Sequence, residues 1–255
     1  MGFGQVTSIA RTDLLGSRPR ITAVPAPVFE PSAFNHLSGR PTGPFMTAAS
    51  LILPGVRAVR RQVQPFADWW QESNARALEA VAGGAKLWVA LGDSMTLGSG
   101  ASAPLGGFVG QILARHPGWV CVNLAIYGGR IADLRERALP ALAALPIPDA
   151  VSLLIGSNDL MKPALRTAAA DDLAQLLQEV PVGTVVGNQP GTYGAAQALN
   201  AVIDEAVASG RVRLADLRDP RARSWGRRTL AADHFHPNDA GYLGIADIFD
   251  EAMFG

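Results

Sequence analysis

Leu87-Trp88-Val89-Ala90-Leu91-Gly92-Asp93-Ser94-Met95-Thr96-Leu97-Gly98 is the stretch whose reading decides the fold. Its first five residues form an unbroken apolar run with no polar alternation. That pattern marks a strand buried on both faces, as in a parallel sheet, rather than one side of a half-wet hairpin. The run stops abruptly at Gly92-Asp93-Ser94, where the residues become small and polar. In an open α/β sheet, the residues just past the carboxyl end of a strand lie in the crevice where ligands bind. Ser94 is therefore expected to be a hydroxyl on a rigid element facing a cleft. It does chemistry only if a base reaches it.

Downstream the pattern alternates. Gly107 to Ala114 reads as a helix and Trp119 to Leu124 as a second strand. Ile131 to Leu145 has helical periodicity with Pro140 as a break or kink, and Ala150 to Ile155 is a third buried strand. Ala168 to Val180 is helical, Thr184 to Val186 a short strand and Ala195 to Ala208 a helix. Arg211 to Leu217 alternates as an outer fifth strand, and Asp239 to Phe254 is a closing helix. Strands alternating with helices in this way give parallel strands joined by right-handed crossovers, hence the α/β class.

Upstream, residues 1–45 are punctuated by Pro19, Pro25, Pro27, Pro31, Pro41 and Pro44 without a sustained period, as in an arm extended or laid on a domain. Residues 46–85 read as a helical extension: a short amphipathic helix from Met46 to about Val63, interrupted at Pro54-Gly55, then a helix from Pro65 to Val81. The basic Arg57, Arg60 and Arg61 beside apolar neighbours also suit a lid or a membrane-surface helix. Residues 86–255 form the main domain, large enough to bury a substantial core.

Lys plus Arg and Asp plus Glu each number 22, so the global charge balance gives no footprint for nucleic acid. The single cysteine, Cys121, sits in an apolar run and reads as a buried core thiol. No apolar run approaches the ~18 residues of a membrane span. With no secretory pattern at the N-terminus, the expectation is a soluble, cytoplasmic protein. Neither a Walker A motif nor a dinucleotide glycine fingerprint follows the first strand, so no nucleotide cofactor is expected.

Four strand ends or late loops carry polar groups: Gly92-Asp93-Ser94, the Asn123 to Gly129 segment, Gly156-Ser157-Asn158-Asp159, and Asp233-His234-Phe235-His236-Pro237. A serine nucleophile needs a base to take its proton, a carboxylate to fix the base's tautomer, and donors facing the oxyanion. The chain offers His236 as base, Asp233 as orienting acid, and the Gly128 N–H and Asn158 amide as donors. Asp and His three residues apart can meet within one tight turn.

These blocks resemble the GDSL/SGNH hydrolase superfamily over residues ~86–252. Gly92-Asp93-Ser94 is similar to its first block, with Met95 where one of the family's names has Leu. Gly128 is similar to the glycine of its second block, although Ala125 stands where that block often has an earlier glycine. Gly156, Asn158 and Asp159 match its third block, and Asp233 with His236-Pro237 its last. The resemblance implies a three-layer α/β/α sandwich with a flavodoxin-like five-stranded parallel sheet. It implies hydrolysis of a small-molecule ester, with Ser94, Asp233 and His236 as triad, and the Ser94 N–H, Gly128 and Asn158 as oxyanion hole. No cofactor or metal is expected.

Plainer alternatives stand beside each role. Ser94 could be only a helix N-cap, and Asn158-Asp159 only a turn. Asp233, His234 and His236 could suggest a metal site, but His36 and His116 read as surface residues and supply no matching ligands. The same site could serve an acyltransferase, a thioesterase or a lysophospholipase, and a non-catalytic binding domain is the rival from another class. For the substrate, Asp93, Tyr127, Tyr193 and Trp225 are candidate pocket residues. Arg218, Arg221, Arg223, Arg227 and Arg228 form a basic run that could meet an anionic substrate. Sequence does not assign an oligomeric state.

Overall fold

The computed structural model describes residues 30, 33–41, 53–191, 194–222, 226 and 228–255. The readings for residues 1–29, 31–32 and 42–45 of the arm, 46–52 of the extension, Tyr193, Arg223, Trp225 and Arg227 lie outside these.

The sheet is built on β1 (Lys86–Gly92), six of whose seven residues are buried. Alternate residues feed two separate cores. Leu87, Val89 and Leu91 enter one and Trp88 and Ala90 the other, which is why the strand shows no polar alternation. β1 pairs in parallel with β2 (Trp119–Asn123) on one side and β3 (Ala150–Leu154) on the other. β4 (Val185–Gly187) and β5 (Arg213–Ala215) extend the sheet in parallel, giving the order β2-β1-β3-β4-β5. The order reverses direction at β1, so the crevice lies between the carboxyl ends of β1 and β3. Those ends are in register at Gly92 and Leu154.

Helices cover both faces. On one lie α1 (Pro54–Ala82), α2 (Phe108–Leu113) and the closing α7 (Asp239–Phe254), which bury Trp70, Phe108 and Phe249 around Trp88. On the other lie α3 (131–143), α5 (Arg166–Glu179) and α6 (Gly194–Ala208), contributing Leu134, Leu173 and Ile203. A short helix, α4 (Ser157–Leu160), follows β3 directly. The result is the three-layer sandwich.

Two proline positions differ from the sequence reading. Pro54 begins α1 rather than interrupting it, because a first-turn proline lacks only an N–H that would have no partner. Pro65 lies inside the same helix instead of starting another. An interior proline costs about 3 kcal/mol. That is offset by burying Val56, Val59, Phe66, Trp70 and Ala77, the larger of which gain roughly 1.5–3 kcal/mol each. In α3, Pro140 produces no break; the segment Leu134–Ala138 widens to a π turn and Leu139–Ala143 continues. A π register relocates the hydrogen bonds around the missing donor.

α1 is tied to the sheet by a polar clasp. The buried Asn74 side chain donates to the Asn123 carbonyl at 2.9 Å and accepts the Asn123 N–H at 2.8 Å. The indole N–H of Trp70 donates to the Leu97 carbonyl at 3.1 Å. The arm residues 33–41 lie along the segment that follows β2, joined by a parallel bridge from Leu37 to Tyr127. His36 belongs to this contact and is 1% exposed, so it is no surface residue. His116 is partly covered, its ring 2.5 Å from Asp250. Among the described residues no helix is long and apolar enough to cross a membrane.

Candidate active site

Past Gly92 the chain folds back into a tight loop over the end of its own strand. A Cβ at Gly92 would sit 2.1 Å from Thr96 Oγ1 and 2.5 Å from the Leu154 carbonyl, so only glycine permits that approach. The Asp93 carbonyl accepts from Thr96 and Leu97 at 3.1 and 3.2 Å, closing the loop. Ser94, 6% exposed, is thereby held at the mouth of the crevice. Its Oγ lies 3.0 Å from Nε2 of His236, 142 positions away in the chain.

His236 is set by local chemistry. Its Nδ1 lies 2.6 Å from Asp233 Oδ2, while Asp233 Oδ1 accepts the N–H groups of Phe235 and His236, each at 3.0 Å. The intervening His234 adopts φ +57°, the only left-handed non-glycine among the described residues. That conformation costs about 1–2 kcal/mol and curls the chain so that positions 233 and 236 face each other. The loop is anchored by Ala231 N–H on the His236 carbonyl at 2.8 Å, and Asn238 caps α7 by accepting from Gly241. Burial pushes the Asp233 carboxyl up, but the His236 hydrogen bond and charge, with the two N–H groups, outweigh it and leave it below the ordinary range. A carboxylate so held can accept a hydrogen bond from a proton-bearing Nδ1, the tautomer that would leave Nε2 as an acceptor for Ser94 Oγ.

The second and third polar segments meet beside Ser94. Gly128 takes φ +66°. Among the described residues neither its N–H nor that of Ser94 meets an acceptor. The Asn158 amide donates to the Gly129 carbonyl at 2.9 Å and makes a long 3.4 Å contact with Asp93. Asn158 is thus brought to the site, but one of its N–H groups ties two loops together. The other, held by the longer contact, is the freer donor. Asp159 supports α3 by accepting from Ile131 N–H at 3.3 Å, and burial pushes its carboxyl to about 6.

A cavity of about 330 Å³ opens next to His236. Its wall is largely apolar, with Leu154, Leu217, Ala222, Leu230, Phe235 and Ile245 contributing. Nothing in the sequence pattern signals this set, because its members come from two strand regions, two loops and a helix. Of the proposed pocket residues, Asp93 borders the cavity, but its carboxylate is 1% exposed and engaged by Ser157 Oγ at 2.6 Å and Met95 N–H at 3.0 Å. It organises the loop rather than meeting a substrate, and burial pushes its pKa up. Tyr127 lies outside the cavity wall, with its half-buried ring against the core. Burial raises its phenol to about 12. Tyr193 and Trp225 lie outside the described residues. Within the basic run, Arg218 pairs with Asp204 and Asp216, and Arg221 with Asp219 and Glu251; Arg228 is exposed, and Arg223 and Arg227 lie outside the described residues. No three His, Cys, Asp or Glu side chains converge among the described residues.

A parallel sheet ordered β2-β1-β3-β4-β5, with serine, glycine and asparagine past the ends of β1, β2 and β3 and histidine in the loop before α7, is the arrangement of an SGNH-type hydrolase. The model of the GDSL-like lipase/acylhydrolase family matches residues 90–243, and the chain belongs to that family. By class it is a carboxylic ester hydrolase. Solved structures similar to it include an extracellular lipase from Streptomyces rimosus, 20% identical, with a TM-score of 0.51 over 66% of this chain and 100% of that one. A member of the lipolytic G-D-S-L family from Veillonella parvula is 17% identical, with a TM-score of 0.53 over 66% and 97%. A carbohydrate esterase family 3 protein from Talaromyces cellulolyticus is 18% identical, with a TM-score of 0.50 over 65% and 95%. At these identities the likeness is one of fold. No curated protein matches the chain.

Proposed function

We propose that the chain is a serine esterase that hydrolyses short-chain carboxylic esters through an acyl-enzyme. The observation that carries this is the unbroken hydrogen-bonded path from Ser94 Oγ through His236 to Asp233, at 3.0 and 2.6 Å. Ser94 Oγ attacks the ester carbonyl carbon while His236 Nε2 takes its proton. The developing oxyanion is met by the Ser94 and Gly128 N–H groups and by the Asn158 amide. The protonated His236 then gives its proton to the leaving alkoxide, and the alcohol departs. In the second half a water, deprotonated by His236, attacks the acyl carbon and the proton returns to Ser94. General-base assistance of this kind contributes roughly 10²–10⁴ in rate, and each oxyanion donor about 10²–10³.

The acyl group is assigned to the apolar cavity. At about 330 Å³ it sits at the small end of ligand pockets, which run roughly 300–1,000 Å³. That favours short acyl chains over long lipid tails. Each buried methylene is worth about 0.8 kcal/mol, or roughly fourfold in kcat/KM.

The test is a series of p-nitrophenyl esters with acyl chains of increasing length, alongside labelling by a fluorophosphonate. The expected result is a climb in kcat/KM over the first few carbons, then a fall once the cavity is full. Ala222→Phe should move that maximum to a shorter chain. Ser94→Ala should lose labelling and about 10⁴-fold or more in kcat. Turnover that survives Ser94→Ala would refute the assignment.

A further inference from the structure

The arm at residues 34–40 precedes the family-matched region, yet it is hydrogen-bonded along the backbone segment that carries Gly128. His36 Nδ1 bonds the Ala125 carbonyl at 2.9 Å. The His36 carbonyl accepts Tyr127 N–H at 2.5 Å, and Ser38 N–H donates to the Tyr127 carbonyl at 3.2 Å. Arg40 then closes the series, donating to the Gly128 carbonyl at 2.8 Å while its fork grips both oxygens of Asp133 in the first turn of α3. Asp133 also accepts Arg130 N–H at 2.6 Å, so the guanidinium is braced by a carboxylate that is itself fixed. The arm is secured from behind by Arg137, which donates to the Leu37 and Asn35 carbonyls, and by Phe34, which enters the core.

We propose that this arm is an orienting strap for the oxyanion hole, with Arg40 as its positioning residue. The proposal rests on the reading of Gly128 N–H as an oxyanion donor. The peptide unit that carries that N–H has the Tyr127 carbonyl at its other end, and Ser38 holds that carbonyl. The next unit carries the Gly128 carbonyl, and Arg40 holds it. Glycine in a left-handed conformation is the residue whose flanking planes rotate most freely. Fixing both planes aims the N–H before substrate arrives, so no reorganisation is needed as charge develops. Arg40 touches neither substrate nor nucleophile; it acts through Gly128.

The experiment compares the full chain with Arg40→Gln and Arg40→Lys. Turnover of a short p-nitrophenyl ester is expressed per Ser94 labelled by fluorophosphonate, and thermal unfolding is recorded for each protein. Removal of a whole oxyanion donor costs about 10²–10³, and misaiming one should cost about 10–100-fold in kcat. KM should stay within about twofold, because the donor acts on the transition state. Arg40→Lys keeps the charge against Asp133 without the two-pronged fork, so it should recover part of the loss. If kcat per labelled site stays within twofold of wild type in both variants, the strap proposal is overturned while the serine-esterase reading stands. A lowered melting temperature beside unchanged kcat overturns it equally, since the arm would then be structural only. Should Arg40→Gln fail to fold, the lysine variant decides by the same criterion. A wild-type chain that neither labels at Ser94 nor turns over would remove the esterase reading and this proposal together.

Discussion

Gly100 is where the serine loop and the histidine loop touch, and an added methyl there tests the assembly of the site directly. Its φ is +88°, and a Cβ would lie 2.6 Å from the Pro237 carbonyl and 2.8 Å from the His236 and Ala231 Cβ atoms. Gly84 supplies the control: its φ is +97°, but nothing lies within 4 Å of its Cβ position. Gly84→Ala therefore adds only left-handed strain, about 1–2 kcal/mol. Gly100→Ala adds the same strain plus overpacking against backbone of about 1–3 kcal/mol, for a total of about 2–5. For a domain of this size that is a melting temperature roughly 5–15 °C lower. Urea unfolding of both variants separates the contributions, since strain is common and the contact is not. Activity separates them further. The contact can be relieved only by moving Pro237 and His236, and a displacement near 1 Å costs about 10²-fold. Gly100→Ala should lose at least tenfold in kcat while Gly84→Ala keeps wild-type turnover. Equal stability losses with full activity in both would show that the two loops do not meet as described.

Three further outcomes follow from other contacts. Asn74→Ala strips the N–H and carbonyl of Asn123 of their side-chain partner, and should cost about 2–4 kcal/mol in urea unfolding; a loss under about 0.5 would contradict the clasp. Burial lowers the pKa of His36 from 6.5 to about 4, with Arg137 adding repulsion. The unfolded chain thus takes up the proton first, so stability is whole above pH 6.5 and declines as pH falls toward 4, by at most about 3 kcal/mol. His36→Gln should flatten that decline in urea midpoints measured between pH 7 and 4, and an unchanged slope would assign the acid loss elsewhere. Asp233→Asn should lower kcat by about 10³–10⁴ with little change in KM, and near-native turnover would show that Asp233 does not orient His236.

What could be read from the sequence follows a physical division. β1 was legible because burial on both faces leaves an unbroken apolar run. Ser94 and Gly128 follow β1 and β2, and Asp233 and His236 share the loop before α7; they stood out as candidates because the chemistry expected of them calls for particular residue types. Pro54 and Pro65 misled because local propensity was overridden by the apolar face of α1. Asp93 looked like a substrate group, and only the structure shows its carboxylate engaged by Ser157 and Met95. His36 looked superficial because nothing local reveals that Phe34 and Ala125 enclose it. The cavity and the Arg40 contacts were silent because their members are far apart in the chain and carry no period.

The amide of Asn74 has a further consequence for the margin of the sheet. β2 is terminal in the strand order, and a terminal strand offers unpaired backbone groups to any passing chain. By bonding both polar groups of Asn123, a helical side chain takes the place a sixth strand would occupy. A shorter protein beginning at Lys86 would keep Ser94, Asp233 and His236 yet expose that margin. Its first failing would be self-association through β2, ahead of any defect in chemistry.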